Sequence, residues 1–407
     1  MLRRTGSLFL VAVLLLSLMS IAAARPAPAS GAVPGQYIVV FRDSVANPGR
    51  AASSMAAEHG LGLKYTYRYA LKGFAAVIPA ARLEAVRADA RVQFVSEDRF
   101  VSIDAQTLPT GVNRIDAEQT ATHTNKGTGV NVAIIDTGID TSHPDLAANI
   151  AGGKNCSTGS SYKDGNGHGT HVAGTIAALN NTIGVVGVAP EARLWAVRVL
   201  NNAGSGTWSS VICGIDYVTA NAGKIKVANM SLGGTGSDDG NCGNTNNDAL
   251  HKAICRSVAA GVTYVVAAGN ETDNAAKHVP AAYDEVITVS ALSDSDGKAG
   301  GTGGAPSCRT SEKDDYFASF SNFGADVDIA APGVCILSTW KGGGYNTISG
   351  TSMATPHVTG VAALYLATHV GASPAQVRSA LLASAQAGPI AGDPDSYKEG
   401  IVYAGGY

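Results

Sequence analysis

Charged side chains are scarce in this chain: only 15% of its 407 residues are Asp, Glu, Lys or Arg, and the formal net charge is −3. It has no run of basic residues with interleaved aromatic side chains, so we expect no nucleic-acid partner. Beyond the amino-terminal region, no stretch reaches the ~18 consecutive apolar residues that a membrane-spanning helix needs. Low charge combined with 45% hydrophobic residues argues against a disordered chain and predicts a well-packed globular core.

The amino-terminal segment has the pattern of a secretory signal peptide, which we place at residues 1–24. Arg3 and Arg4 form a positively charged segment, and an apolar segment and a small-residue Ala-Ala-Ala cleavage site follow it. An uncleaved membrane anchor is the alternative. We therefore expect a secreted, extracellular protein that has no membrane attachment once the signal is removed.

Cysteine is absent from the first 150 residues, and the later cysteines form no C-x-x-C motif of a metal or redox site. Six cysteines in an exported chain suggest disulfides, for which 15 full pairings are open. We favour the pairs that lie near each other in the sequence. These pairs are Cys156–Cys213, Cys242–Cys255 and Cys308–Cys335.

Two regions with different patterns of strand and helix segments follow the signal peptide. Residues 25–104 begin with a Pro/Ala/Gly linker and continue, from about 36 to 103, with a βαββαβ pattern that predicts a ferredoxin-like α+β module. In residues 105–407, apolar strands alternate with helical segments, which predicts an α/β fold with a doubly wound, mostly parallel sheet. Sites in such sheets form outside the carboxyl ends of the strands. Asp136, Ser231 and Asn270 are expected there.

Three short motifs supply the residue types of nucleophilic catalysis. Asp136 lies in "AIIDTGID", His168 in "DGNGHGTHVAGT" and Ser352 in "SGTSMATPH". A serine hydroxyl is a poor nucleophile at neutral pH unless a base such as a neutral imidazole adjoins it. A carboxylate then fixes the tautomer of that imidazole and stabilises the imidazolium. Taken singly, each residue also fits a structural role as a turn, packing or N-cap residue.

Together and in this chain order, the motifs resemble those of the subtilisin-like serine proteases, the subtilases, and subtilisin itself shows this order. The resemblance covers nearly everything from residue 105 onward, and the six cysteines resemble the disulfide-bearing branch near proteinase K. It implies hydrolysis of peptide bonds through an acyl-enzyme, with Ser352 as nucleophile, His168 as base and Asp136 orienting His168. The side-chain amide of Asn270 and the backbone N–H of Ser352 would stabilise the oxyanion.

The module before residue 105 resembles the subtilase propeptide, a folding chaperone and intramolecular inhibitor. The resemblance therefore implies a monomeric zymogen that processes itself and is cut between Asp104 and Ala105. An aspartate before the cut does not suit the mostly apolar specificity pocket that we expect, so either the pocket is unusual or the first cut falls elsewhere and is trimmed. The rival hypothesis is a catalytically silent subtilase that serves as a binding scaffold, but the intact catalytic positions favour the enzyme.

The resemblance also implies where protein and peptide substrates bind. Two backbone edges would pair with an extended peptide, as in β-augmentation, and an open first specificity pocket would give a broad, mainly apolar preference. The implied residues are Gly204, Ser205 and Gly206 on one edge, Ser231, Leu232 and Gly233 on the other, Ala267, Ala268 and Gly269 lining the pocket, Glu271 at its rim, and Trp208 over a more distant pocket.

Calcium is the metal that the resemblance implies, because "LNNTIGVVGV" (179–188) is similar to the subtilisin calcium loop; an ordinary polar loop is the alternative. Calcium is held by several oxygens, often carbonyls together with a carboxylate. The implied ligands are the carbonyls of Leu179, Ile183 and Val185 and the side chains of Gln106, Asp145 and Asn181. A second, weaker site would use Asp328 with the carbonyls of Asp284 and Val286.

Three further features complete the expectations. His171 is expected to pack inside the fold, since the chain has no H-E-x-x-H zinc motif. Pro356 should be tolerated because it falls in the first helical turn after Ser352, where N–H groups lack intrahelical partners. Residues 293–317 look like an insertion closed by Cys308–Cys335, to which the sequence assigns no role.

Overall fold

The computed structural model describes residues 32–99, 106–121, 123–387 and 390–407. The chain divides into two compact units, Met1–Ile103 and Asp104–Tyr407. The predicted signal peptide and the predicted cut after Asp104 lie outside the described residues.

The first unit is a four-stranded antiparallel sheet with two helices, in the predicted βαββαβ order, and its strand order is β2-β3-β1-β4. Its elements are β1 (Ala32–Phe41), α1 (Pro48–His59), β2 (Gly62–Tyr67), β3 (Gly73–Val77), α2 (Ala80–Arg87) and β4 (Val92–Arg99).

Helix α1 shows how the local sequence sets these boundaries. The side chain of Asn47 accepts a hydrogen bond from the N–H of Arg50, and Pro48 occupies the first turn. Gly60 ends the helix in the left-handed conformation, at φ 65°. Its apolar face packs on the sheet beside Phe41 and Phe74, whose ring centroids are 5.5 Å apart.

The second unit has more elements, which alternate along the chain as predicted. The helices are α3 (Thr110–Arg114), α4 (His168–Ala177), α5 (Trp208–Ala220), α6 (Ala249–Ala259), α7 (Thr351–Thr368) and α8 (Pro374–Ser384), with 3₁₀ turns at Ala147–Asn149 and Ala275–Lys277. The strands are β5 (Asn131–Asp136), β6 (Ile150–Asn155), β7 (Arg193–Arg198), β8 (Ile225–Met230), β9 (Gly234–Thr235), β10 (Thr263–Ala267), β11 (His278–Val279), β12 (Ile287–Ser293), β13 (Tyr316–Phe317), β14 (Ile329–Pro332), β15 (Ile336–Trp340), β16 (Gly344–Ile348) and β17 (Gly400–Ile401).

A nine-stranded sheet forms the centre of this unit, in the order β17-β14-β12-β10-β8-β5-β7-β6, with β13 added beside β12. All pairs in this order are parallel, and only β13 runs antiparallel to its neighbour. Strands β6 and β7 lie on one side of β5, and β8 and the later strands lie on the other side, so the order in which strands are added to the sheet reverses at β5. Such a reversal places a crevice outside the carboxyl ends of β5, β7 and β8. The predicted fold class is confirmed.

Strand β5 is buried on both faces because its alternate side chains enter two separate cores. Val132 and Ile134 join the core under α4, α7 and α8, whereas Ala133 and Ile135 join the core under α5 and α6. All four side chains are fully buried. This alternation explains why the strand reads as a continuous apolar run.

Three disulfides tie the second unit together, and no cysteine among the described residues is free. They join Cys156–Cys213, Cys242–Cys255 and Cys308–Cys335, which are the pairs favoured from the sequence. The insertion 293–317 runs from the end of β12 to β13, and Cys308 links it to the residue before β15. Within the described parts of the chain, no helix combines the length and apolar character needed to cross a bilayer.

Candidate active site

The carboxylate of Asp136 holds the imidazole of His168. Asp136 is the last residue of β5 and is fully buried, whereas His168 is the first residue of α4. His168 Nδ1 lies 2.8 Å and 2.9 Å from the two carboxylate oxygens of Asp136. A hydrogen bond at Nδ1 leaves Nε2 as the nitrogen that can accept a proton.

Charge and burial act in opposite directions on His168. Burial lowers the pKa of His168, but the negative charge and hydrogen bond of Asp136, together with the charge of Asp164, outweigh it, so the pKa is raised. The sequence analysis did not single out Asp164. Its carboxylate accepts the N–H groups of Gly167 and Thr170 at 2.9 Å and 3.0 Å and so caps the start of α4. The sequence signal that could have identified Asp164 is its position four residues before the histidine that begins α4.

Ser352 is the second residue of α7 and points toward the end of β8. Its Oγ donates to the carbonyl of Ser231 at 3.3 Å, and Ser231 Oγ donates to the carbonyl of Ser352 at 2.9 Å. The hydrogen bonds of the described residues include none between Ser352 and His168. Ser231, which was predicted only as a backbone edge, therefore also anchors the segment that carries Ser352.

The expectation for Pro356 was wrong, because α7 begins at Thr351 and Pro356 is its sixth residue. A proline there lacks the N–H that would bond to the carbonyl four residues earlier, which is the carbonyl of Ser352. That freed carbonyl is the one that accepts the hydroxyl of Ser231. The proline is thus tolerated because the side chain of Ser231, the residue that follows β8, replaces the missing backbone donor.

Asn270 is held by one end of its amide. Its Oδ1 accepts the N–H of Thr351 at 2.8 Å and the hydroxyl of Thr351 at 3.1 Å. Within the described residues, Asn270 Nδ2 donates to no other protein group, and the side chain lines the same cavity as Ser352. The fully buried Thr351 thus orients an unused donor toward the space beside Ser352. Thr351 was not among the site residues predicted from the sequence.

Two cavities adjoin these residues. The histidine groove, of about 690 Å³, is lined by His168, Gly204, Ser205, Gly206, Trp208, Ser231, Leu232 and Gly233, with Thr137, Asn166, Leu200, Thr207 and Val211. The serine cavity, of about 190 Å³, is lined by Leu232, Gly233, Ala267, Ala268, Gly269, Asn270, Glu271, Thr351 and Ser352, with Gly234, His278, Val279 and Ala281. Leu232 and Gly233 line both, so the two cavities are adjacent. Every residue that was predicted to bind substrate lines one of them.

The serine cavity has polar residues that the sequence analysis missed. Asn322 accepts the N–H of Glu271 at 2.9 Å and donates to the carbonyl of Ala268 at 3.0 Å, which ties the cavity wall to a distant loop. Glu271 Oε2 accepts the N–H of Asn270 at 2.8 Å. Asn322 lies 51 residues from Glu271, so no local motif pointed to this contact. His278 also lines the cavity, and no motif singled it out.

Five of the six residues of the first predicted calcium site gather around one point, and the sixth, Ile183, contacts them through its N–H, which donates to Asn181 Oδ1 at 2.8 Å. Gln106 Nε2 lies 2.6 Å from the carbonyl of Leu179, 3.0 Å from that of Val185 and 3.4 Å from Asn181 Oδ1. Asp145 is fully buried, and its carboxylate accepts Asn181 Nδ2 at 2.8 Å and the N–H of Val185 at 3.0 Å. Burial raises the pKa of Asp145 in spite of these donors. Oxygens that converge in this way on a donor, with a buried carboxylate, fit a hard cation such as Ca²⁺.

The residues of the second predicted calcium site are engaged by a protein cation. Arg378 donates to Asp328 Oδ1 from Nε at 3.0 Å and also from Nη2, and its Nη1 donates to the carbonyl of Asp284 at 3.3 Å. The guanidinium thus satisfies two of the three implied ligands, Asp284 and Asp328, and only Val286 lacks such a contact. These residues therefore form an ion pair with Arg378, which takes the place of the predicted second calcium ion.

Comparison with known proteins places both units. Residues 127–400 match the subtilase family, and residues 36–104 match the peptidase inhibitor I9 family. Subtilisin NAT of Bacillus subtilis subsp. natto is 39% identical over 356 residues, which cover 86% of this chain and 85% of that protein. The extracellular serine proteinase of a Thermus species is 39% identical over 419 aligned positions, covering 93% of this chain and 94% of that protein.

A solved structure supports the same assignment. The crystal structure of a cold adapted subtilisin-like serine proteinase matches with a TM-score of 0.60 and 36% identity, over 74% of this chain and 99% of that one. The chain therefore belongs to the subtilase family and is a subtilisin-like serine endopeptidase made with an inhibitory propeptide.

Proposed function

We propose that peptide bonds are hydrolysed by Ser352, His168 and Asp136 through an acyl-enzyme. The observation that carries this proposal is the pair of hydrogen bonds from His168 Nδ1 to buried Asp136, in a groove that adjoins the cavity of Ser352. Ser352 Oγ attacks the scissile carbonyl while His168 Nε2 takes its proton. His168 then gives this proton to the leaving amine. In the second half of the reaction, water attacks the acyl-enzyme with the help of His168, and the carboxylic acid is released.

Asn270 acts on the charge that develops during attack. Its Nδ2 and the N–H of Ser352 donate to the oxyanion of the tetrahedral intermediate. In subtilisin itself, removal of the side-chain donor to the oxyanion lowers kcat about 10²–10³-fold. Because Thr351 fixes Asn270 Oδ1, the donor is oriented before substrate arrives and needs no reorganisation during the reaction.

The substrate lies across the two cavities. Its backbone pairs with the edges at 204–206 and 231–233, and the side chain before the scissile bond enters the serine cavity. The walls formed by Ala267, Ala268 and Gly269 are small, which supports broad specificity for side chains that fit about 190 Å³. Trp208, 37% exposed, offers an apolar surface to a more distant substrate residue.

We propose that the chain is a secreted zymogen with a signal peptide at 1–24, a propeptide at 25–104 and a peptidase domain at 105–407. The relative from Thermus is named an extracellular serine proteinase, which supports export. Calcium would be held by Gln106, Asp145, Leu179, Asn181, Ile183 and Val185. It would stabilise the fold by binding only the folded state, and it takes no part in the reaction.

Expression of Ser352→Ala tests the proposal. The variant should accumulate as an uncut precursor and fail to hydrolyse casein. Ser349→Ala is the matched control, because Ser349 Oγ accepts the N–H of Cys335 at 2.9 Å and lies 3.7 Å from Cys308 Sγ, so its contacts are with the disulfide segment and not with the catalytic residues. A Ser352→Ala chain that matures by itself and hydrolyses casein would refute the assignment and favour a different nucleophile.

A further inference from the structure

His278 is a partly enclosed side chain in the wall of the serine cavity. It belongs to β11, where its backbone pairs with Thr235 of β9, so its position is fixed by a strand. The side chain is only 14% exposed, and its buried Nε2 makes no short hydrogen bond, because its carboxylate contact, Asp273 Oδ2, is 3.5 Å away. An imidazole that is held only by such long contacts, beside a substrate cavity, can respond to the charge that the cavity holds.

The charged groups that face His278 are few. Glu271 Oε2 lies 3.6 Å from His278 Nδ1, and Asp273 Oδ2 lies 3.5 Å from His278 Nε2. Asp273 is also paired with Lys277, whose Nζ lies 2.7 Å from Asp273 Oδ1. Glu271 and His278 are the only ionisable residues among those that line the cavity in the described chain. With His278 neutral, the cavity therefore carries the unbalanced negative charge of Glu271.

We propose that His278 selects the charge of the substrate side chain that enters the serine cavity. When His278 is neutral, Glu271 attracts a cationic side chain and repels a carboxylate. When His278 is protonated, its charge cancels that of Glu271, so a carboxylate is admitted and the advantage of a cation is lost. Histidine ordinarily changes charge between pH 5 and 8. This selection rests on the proposed function, since the cavity receives the residue before the scissile bond only if Ser352 is the nucleophile.

Three peptide substrates that differ only in the residue before the scissile bond test this selection. That residue is Glu, Gln or Lys, and kcat/KM is measured for the mature enzyme between pH 5.5 and 8.5. Ratios between substrates cancel the titration of His168, because the same enzyme cleaves each of them. From pH 8.5 to 5.5 we expect the Glu/Gln ratio to rise roughly fivefold to tenfold, as expected for one charge a few ångströms away. The Lys/Gln ratio should fall over the same range.

Two variants assign the effect to His278. His278→Gln keeps a polar side chain without a titrating charge and should make both ratios independent of pH. His369→Gln is the matched control, since His369 follows the far end of α7, about 25 Å along the helix from Ser352. It should keep the ratios of the unmodified enzyme.

The outcomes separate this inference from the proposed function. The role of His278 is overturned if the ratios of the unmodified enzyme do not change with pH, or if they still change in His278→Gln. In either case, cleavage of the Gln substrate leaves the assignment of Ser352 as nucleophile intact. The ratios of the unmodified enzyme test the inference even if a variant fails to fold. Cleavage of all three substrates by a Ser352→Ala enzyme would instead contradict the proposed function.

Discussion

Replacing Thr351 by valine should slow catalysis without weakening substrate binding. The hydroxyl of Thr351 donates to Asn270 Oδ1 at 3.1 Å and accepts the N–H of Gly269 at 3.2 Å. Valine keeps the shape of the side chain but removes both contacts. The backbone N–H of Thr351 still holds Asn270 Oδ1 at 2.8 Å, so the amide loses one of its two anchors.

The size of the effect follows from the hydrogen bonds that are lost. One such bond contributes about 0.5–1.5 kcal/mol net. If that loss appears fully in the transition state, kcat falls about two- to tenfold. KM should be unchanged, because the oxyanion exists only after attack. The N–H of Gly269 loses its acceptor in a part-buried position, so the free energy of unfolding should fall by about 1–3 kcal/mol.

Steady-state kinetics with one peptide substrate, together with urea unfolding, measure both effects. Thr355→Val is the matched control. Thr355 is also fully buried in α7, but its hydroxyl donates within the helix, to the carbonyl of Thr351 at 2.8 Å. The control should lose stability and keep kcat. The reasoning is refuted if Thr351→Val keeps the kcat of the unmodified enzyme, or if Thr355→Val loses as much kcat.

Further predictions concern His168, the Cys156–Cys213 disulfide and the calcium loop. The raised pKa of His168 means that kcat/KM should fall as the pH drops through a value above the ordinary 6.5 of histidine, because the base must be neutral; a pH–rate profile measures this. The same proton is bound more tightly in the folded state, so it adds stability below about pH 6.5 that is lost as the pH rises through the raised pKa. Replacing Cys156 and Cys213 by serine removes a link between residues 57 positions apart. In the inactive Ser352→Ala zymogen this should lower the free energy of unfolding, measured in urea, by about 4 kcal/mol. An unchanged urea midpoint would contradict this prediction. Chelation of calcium should lower the thermal midpoint. If calcium is initially present at 100 times its Kd, the lost stabilisation is about 2.7 kcal/mol. In Asn181→Ala, chelation should no longer change the midpoint.

The fold was predictable because its signals are local. Strand β5 and the strands beside it are continuous apolar runs, since both faces of the sheet are covered, and the helices between them begin with polar or glycine residues. The βαββαβ order of the first unit could likewise be predicted from alternating runs of strand and helix character. The hairpin of β15 and β16 was not predicted, although glycines 342–344 separate two strand-forming segments.

Much of the detail of the site was not predictable, because its contacts join residues far apart in the chain. Thr351 lies 81 residues from Asn270, and Ser231 lies 121 residues from Ser352. Arg378 engages Asp328 from 50 residues away. A local pattern cannot report such pairs, since they depend on which elements the fold brings together. The identity of the reactive residues was accessible only because their own motifs are distinctive.

The most direct test of the account is stoichiometric labelling by a serine-directed fluorophosphonate, followed by intact mass and peptide mapping. The account predicts one label per mature chain, on Ser352, at a rate that falls sharply in Asp136→Asn because His168 then loses its orienting carboxylate. No label on the active enzyme, or a label on any other residue, would contradict it.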